Sequence, residues 1–234
     1  MLPPTLQKVD VPVGRSGRFE ISRFTISKAS ARRVNNRNLY NNSQDRNVAE
    51  GTYTRMIREP AIVTLQGDGP VVVMSDTPAE LRDHAEPVRR AEGRCLVHGL
   101  GLGVCVQAML DKPEVSHVTV VEQSPDVIKL VADHYLSNPR YKGRLEIVMD
   151  DALSWKPPAG ARWDVVWHDI WDSIGAENWD TMKRLHRRFG RRAEWQGSWC
   201  RDRVFRQIEQ ERGRIADDLE VPFWIADMMT SGGR

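Results

Sequence analysis

Gly99, Gly101 and Gly103 stand at alternate positions between an apolar run, "RCLVH", and a helix-patterned stretch, "GVCVQAMLD". Glycine adopts backbone conformations closed to other residues and lets a neighbouring group come close to the chain. A strand-to-helix turn of this kind also leaves unpaired N–H groups at the helix start. Taken alone, the loop suits tight packing as well as it suits a ligand. Two further sites narrow the reading. Glu122 closes the next apolar run, "HVTVVE", 23 residues beyond Gly99, with Gln123 beside it. A carboxylate there can accept both hydroxyls of a ribose. Asp151 and Ala152 follow a third run, "LEIVM", and offer a carboxylate and a backbone amide that together can read an adenine edge. A fourth run, "WDVVWHD", ends on His168 and Asp169, with Asp172 close behind. Asp169 heads the candidates for orienting an acceptor or taking its proton, with His168 and Asp172 also on the catalytic list. His168 reads equally well as a buried histidine bonded to the backbone. Trp167 and Trp171 flank these groups, and either could face a cation through its ring; core packing accounts for Trp167 at least as well.

These residues can converge only if their runs are strands of one sheet. From Arg94 onward apolar runs alternate with helix-patterned stretches, which implies a right-handed, parallel, doubly wound sheet. "SPDVIKLVADHYL" is such a stretch, with Ser124 as N-cap and Pro125 in the first turn. The fifth strand is expected at "RAEWQGSW", followed by the helix "DRVFRQIEQERGRIADDL". The sheet is then truncated after strand five, although "VPFWIADMM" could add a short strand, and an exposed edge there would invite a homodimer. In such a sheet ligands bind beyond the carboxyl ends of the strands, where the winding reverses. Ahead of it, "RFEISRFTIS", "TYTRMIRE", "AIVTLQ" and "VVVMS" alternate as strands, the last two joined by a Gly-Asp-Gly turn. The expected organisation is α/β: an N-terminal β-hairpin or lid segment, 1–76, before a Rossmann-like domain, 77–234. The segment 75–93 should be one helix, capped by Ser75 to Thr77 and begun at Pro78, and the Asn-rich stretch 35–47 an irregular loop.

The glycine spacing bears on the cofactor. A dinucleotide fingerprint, G-x-G-x-x-G, would put glycine at 104, where Val104 stands. The loop, Glu122 and Asp151-Ala152 together resemble the class I S-adenosylmethionine-dependent methyltransferases, over roughly Arg94 to Trp199. Within that class the chain is more similar to the spermidine synthase-like branch. That branch has a small β-hairpin unit in front, an apolar residue where Val97 stands, and a run like "KPEVSHVTVVEQSPDVIKL". The resemblance implies that Gly99, Gly101, Gly103, Glu122, Gln123, Asp151, Ala152 and Asp169 hold S-adenosylmethionine. The polyamine aminopropyltransferases of the branch carry an acid in the glycine loop, where Leu102 stands here. They read "DSSDP" at the end of strand four, where this chain has His168-Asp169-Ile170-Trp171-Asp172. They also place Tyr/His-x-Glu upstream, near Glu80-Leu81-Arg82 here. Methyl transfer to a small or peptide-borne nucleophile therefore leads. Aminopropyl transfer from decarboxylated S-adenosylmethionine, and adenosyl-ligand binding without turnover, are the alternatives.

Composition sets the outer bounds. The 234 residues carry a formal charge of +2 and 40% hydrophobic residues, as an ordinary globular chain does. No apolar run reaches the roughly 20 residues of a membrane span, and the N-terminus lacks a signal-peptide core, so a cytoplasmic protein is expected. Cys95, Cys105 and Cys200 lack metal-ligand spacing and read as free thiols. The basic stretch "KRLHRRFGRR" reads first as a solvated helix face and second as a nucleic-acid surface. Base-methylating motifs, Asn/Asp-Pro-Pro-aromatic or a Pro-Cys nucleophile, do not follow strand four. Seven of the eight tryptophans fall between Trp155 and Trp199, which suggests aromatic walls in the second half.

Overall fold

Residues Phe19–Ile26 alternate in burial as their sequence alternates in polarity, and they form the centre of an antiparallel sheet in a computed structural model that describes residues 2–60 and 69–218. Its strands run in chain order, β1 (Gly14–Ser16), β2 (Phe19–Ile26), β3 (Gly51–Arg58) and β4 (Val71–Ser75). β2 and β3 pair over their whole length, from Phe19 opposite Arg58 to Ile26 opposite Gly51. The expected strand "AIVTLQ" and most of its turn to β4 lie outside the described residues. Asp76, just past β4, is fully buried and accepts the N–H groups of Val9 and Thr54, at 3.2 and 2.7 Å. One carboxylate thus ties the N-terminal arm, β3 and the exit from β4 together.

The Asn-rich stretch departs from expectation. Its first half completes a helix, α1 (Lys28–Tyr40), capped by the Ser27 side chain on the Ser30 N–H. The asparagines fasten this helix to residues 47 and 48, just ahead of β3. Asn35 makes reciprocal bonds with the Val48 backbone, and Asn38 donates to Asn47. Only residues 41–47 are left outside the helix, with a single 3₁₀ turn among them. The long helix expected after β4 is also two: α2 (Pro78–Asp83) and α3 (Ala85–Arg90), broken at His84. Pro87 explains the break, because in a continuous helix its ring would strike the Asp83 carbonyl four residues back.

The parallel sheet comes next, with β5 (Gly93–His98), α4 (Val104–Leu110), β6 (Val115–Glu122), α5 (Pro125–Leu136) and β7 (Leu145–Met149). β8 (Trp163–His168), α6 (Trp179–Phe189), β9 (Ala193–Ser198) and α7 (Arg201–Asp218) complete it. Strand order is β7-β6-β5-β8-β9, all parallel, so the winding reverses between β5 and β8. The architecture is the Rossmann-like α/β fold, with an antiparallel sheet in front. Both faces are buried. Cys95, Val97, Val118, Val120, Val165 and Trp167 pack towards α3, α4 and the N-terminal sheet. Leu96, Val121 and Val166 pack against Trp155, Trp163, Leu185 and Phe189 on the α6 side. Burial on both faces is why the strands read as unbroken apolar runs. β7 and β9 are the edge strands among the described residues, and the candidate strand at "VPFWIADMM" falls outside them. No described helix is long and apolar enough to cross a membrane.

Candidate functional site

The turn of β5 into α4 sits at the point where the winding reverses, and its glycines are packed by the protein itself. Gly99 has φ +92, and a Cβ there would run into the backbone carbonyl of Asp169, at the end of β8. Gly101 has φ +50, and its Cβ would lie 2.6 Å from the Met74 sulfur. That sulfur also accepts the Leu102 N–H at 3.2 Å. The N-terminal sheet therefore rests a flexible thioether on the middle of the glycine loop. Gly103 is the N-cap of α4, with the Tyr135 ring against it and the Tyr135 hydroxyl bonded to the Leu102 carbonyl at 2.7 Å. Leu102 is wholly buried.

Above this loop lies a cavity of about 380 Å³ between the two sheets. Gly99, Gly101, Glu122, Gln123, Asp151, Ala152, Asp169 and Asp172 all line it. These eight sequence candidates converge as expected from strand ends on one side of a parallel sheet. Gly103 is not among the lining residues, and neither is His168. The opposite wall comes from Phe19, Met56, Arg58, Val73 and Met74 of the antiparallel sheet. Arg58 reaches across to Asp172, Nη1 to Oδ2 at 2.5 Å, and joins the two walls. Trp171 lines the cavity, its Nε1 donating to Thr181 at 2.9 Å, whereas Trp167 stacks on Trp195 behind it.

Glu122 is nearly buried, and its two oxygens accept the N–H groups of Leu100 and Ser124, each at 2.8 Å. Burial raises its pKa above the ordinary carboxylate value, and these backbone donors offset only part of the rise. A carboxylate held at both oxygens is fixed in orientation and still has lone pairs to offer. Asp151 holds the Leu153 N–H at 2.9 Å through Oδ1 and carries the Trp155 N–H on its carbonyl. The next three carbonyls are tied down by Arg188, from Ala152 and Leu153 to Ser154, at 3.2, 2.8 and 3.1 Å. Part of the basic stretch on α6 thus braces the segment that carries Asp151 and Ala152.

Asp169 anchors its own backbone on the His98 carbonyl at 2.9 Å, while its side chain is 11% exposed. Burial, then the carboxylates Glu80 and Asp83, push its pKa up to about 8. The Nδ1 of fully buried His84 stands 3.8 Å from one carboxylate oxygen. Burial keeps that imidazole neutral, its pKa lowered to about 4.

His168 is a correction to the catalytic list. Successive strand residues point to opposite faces, so His168 projects to the α6 side, away from the cavity. There it stacks on His98, with their Nδ1 atoms 2.7 Å apart, and its Nε2 meets Gln196 Oε1 at 3.2 Å. Gln196 gives its amide N–H₂ to the His186 carbonyl, so its oxygen must accept. His168 then carries its proton on Nε2, and His98 donates through Nδ1. Burial holds His168 down to about 3. It is a neutral, structural pair with His98.

The cysteines are free. Cys105 lies in the first turn of α4, and burial holds its thiol well above the ordinary value. Among the described residues no group of three or more His, Cys, Asp or Glu side chains is placed to hold a metal ion. Arg58, Met74, Glu177 and Thr181 also line the cavity, and sequence reading misses them because their positions arise from packing between the sheets and around the start of α6.

No family model and no curated protein matches the sequence. Among solved structures, the chain is similar to a putative RNA methyltransferase, PH1948 from Pyrococcus horikoshii, at 16% identity and a TM-score of 0.41, covering 58% of this chain and 68% of that one. It is similar to a dimethyladenosine transferase from Plasmodium falciparum at 17% identity and a TM-score of 0.36, covering 47% and 35% of the two chains. The CcbJ methyltransferase from Streptomyces caelestis gives 18% identity and 0.36, with coverage of 45% and 43%. The chain thus spans between about a third and a half of the length of the first structures it matches. Likeness at these scores concerns the arrangement of strands and helices alone.

Proposed function

We propose that the protein is an S-adenosylmethionine-dependent methyltransferase acting on a small or peptide-borne nucleophile. The observation that carries this reading is the convergence of Glu122, Asp151, Ala152 and Asp169 around one cavity over the glycine loop. The residues present suit the group. Glu122 has an orientation set by two backbone donors and is placed to accept ribose hydroxyls. Ala152 has its carbonyl held by Arg188, so its amide is the backbone group left for an adenine edge, with the Asp151 carboxylate beside it. Gly101 and the loop amides would receive the methionyl end once the Met74 side chain turns aside, an inexpensive motion for an unbranched thioether.

A bound sulfonium would supply an already activated methyl group, so positioning provides most of the rate. The chain supplies that positioning: the N-terminal sheet covers the cavity, and Trp171, fixed by Thr181, walls one side of it. Asp169 is the group for the acceptor's proton. With a pKa of about 8 its conjugate forms interconvert near neutrality, where general acid–base catalysis is most effective. Asp172, engaged by Arg58, orients rather than exchanges protons. The cavity is bounded on both sides by protein, which fits a compact acceptor.

Aminopropyl transfer is the second reading, favoured by the carboxylates of Asp169, Asp172 and Glu177 along the cavity, which suit a cationic acceptor. Offering a panel of amine and peptide acceptors with S-adenosylmethionine or its decarboxylated form decides between them. The methyltransferase reading expects S-adenosylhomocysteine to be released. Methylthioadenosine from the decarboxylated donor would overturn it in favour of the second. Ligand binding with no product from either donor, and none lost in Asp169→Asn, would leave a binding protein.

A further inference from the structure

A depression of about 340 Å³ lies at the opposite end of the parallel sheet from the cavity. Five guanidinium groups converge on it: Arg162 before β8, Arg187 and Arg188 in the last turn of α6, and Arg191 and Arg192 before β9. No carboxylate lines it. Arg188 and Arg192 are committed to carbonyls of residues 152–154 and 161. The side chains of Arg162, Arg187 and Arg191 form no hydrogen bond, ion pair or ring contact among the described residues. The cluster repels itself. Burial and the neighbouring Arg184 and Arg192 pull Arg188 below the ordinary guanidinium value.

A helix C-terminus tolerates cations, which accounts for Arg187 and Arg188. It does not account for Arg162, which arrives from another segment, or for Arg191 and Arg192 beyond the helix. All five cations are arginines, whose planar forks match phosphate oxygens in pairs where lysine offers a point charge. No large apolar side chain exposed to solvent belongs to the lining, so the depression lacks what a membrane-inserting surface would present. Arg187, in the last turn of α6, and Arg191, just past its end, line the same depression from adjoining stretches of chain.

We infer that this depression binds the phosphodiester backbone of a nucleic acid. The inference is independent of the chemistry assigned to the cavity. Backbone contacts of this kind hold and register a strand without reading its bases.

The test titrates the full chain into a fluorescein-labelled 20-nucleotide single-stranded RNA at 50 and 200 mM NaCl, followed by anisotropy. Replacing Arg162→Gln, Arg187→Gln and Arg191→Gln together should weaken binding at 50 mM at least about tenfold. It should also flatten the log–log salt dependence by about two, as the loss of three phosphate contacts to a single strand requires. All three side chains are exposed, so the melting temperature should stay that of the parent. A second variant, Arg32→Gln/Arg33→Gln/Arg37→Gln, removes the same charge from α1 and should bind within about twofold of wild type. Equal losses in the two variants would reduce the effect to net charge and overturn the site. Wild-type affinity in the first variant would overturn it too, as would binding to phosphatidylserine vesicles with none to RNA.

Discussion

Burial and the carboxylates around it hold the Asp169 proton to about pH 8, whereas an unfolded chain releases it near pH 3.9. Between those values the unfolded state binds fewer protons than the folded one, so stability falls as pH rises across that window. Asp169→Asn removes the dependence. Its melting temperature should match wild type near pH 4 and exceed it by a growing margin up to pH 8, as differential scanning fluorimetry can show. In turnover the proposed role reverses the sign, since the ionised carboxylate would be the working base. The rate of the wild-type protein, as kcat/KM, should climb with pH through about 8, and Asp169→Asn should be inactive at every pH while binding the cofactor nearly as before. The glycines separate in the same way. Gly99→Ala sets a methyl group against a backbone carbonyl that cannot move aside, whereas Gly101→Ala meets only the end of Met74. The first should lower the melting temperature well beyond the second, although both pay for a positive φ. Asp169 was legible in the sequence because a carboxylate at a strand end in this fold faces the switch point. His168 was not, because a strand buried on both faces gives no parity signal, and one residue decides which core a side chain enters.

At the scale of elements, the connection from β7 to β8 has no helix of its own and depends on α6 for order. Arg188 supplies three hydrogen bonds to its carbonyls and Arg184 one more. Arg188→Ala should cost about 1.5–3 kcal/mol, the range for hydrogen bonds to a charged donor. Hydrogen exchange should quicken over residues 152–155, and affinity for an adenosyl ligand should drop several-fold because Asp151 and Ala152 sit on that segment. Unchanged exchange there would show that the bonds do not brace it. The strands and helices from Arg94 onward follow from periodicity and caps, as Ser124 on the Val127 N–H illustrates. The Asn-rich segment misleads because asparagine's preference for turns is a local tendency. Here the Asn35 and Asn38 side chains find partners in Val48 and Asn47, so the helix gains what a turn would have offered.

At the scale of the molecule, the antiparallel sheet and the Rossmann-like sheet make one site only where they meet, and that meeting is the part least visible in the sequence. Nothing in the spacing of "VVVMS" says that Met74 will rest on Gly101, or in "TYTRMIRE" that Arg58 will reach Asp172. Both depend on how the sheets dock. Ser16 bonded to Asp126 at 2.8 Å, at the start of α5, is one of the contacts that sets the docking. The Arg58–Asp172 pair is about one-third exposed on each side, so Arg58→Ala should change stability by less than about 1 kcal/mol. Its effect should appear instead in stopped-flow ligand release, which should be faster with one wall of the cavity freed. The central claim is that the cavity over the glycine loop is an adenosyl site oriented by Glu122. Isothermal titration of the full chain with S-adenosylmethionine and S-adenosylhomocysteine tests it most directly, alongside Glu122→Ala. The account expects one site per chain for both ligands, weakened at least about tenfold in the folded variant. Absence of binding to the wild-type chain, or equal binding by Glu122→Ala, would contradict it.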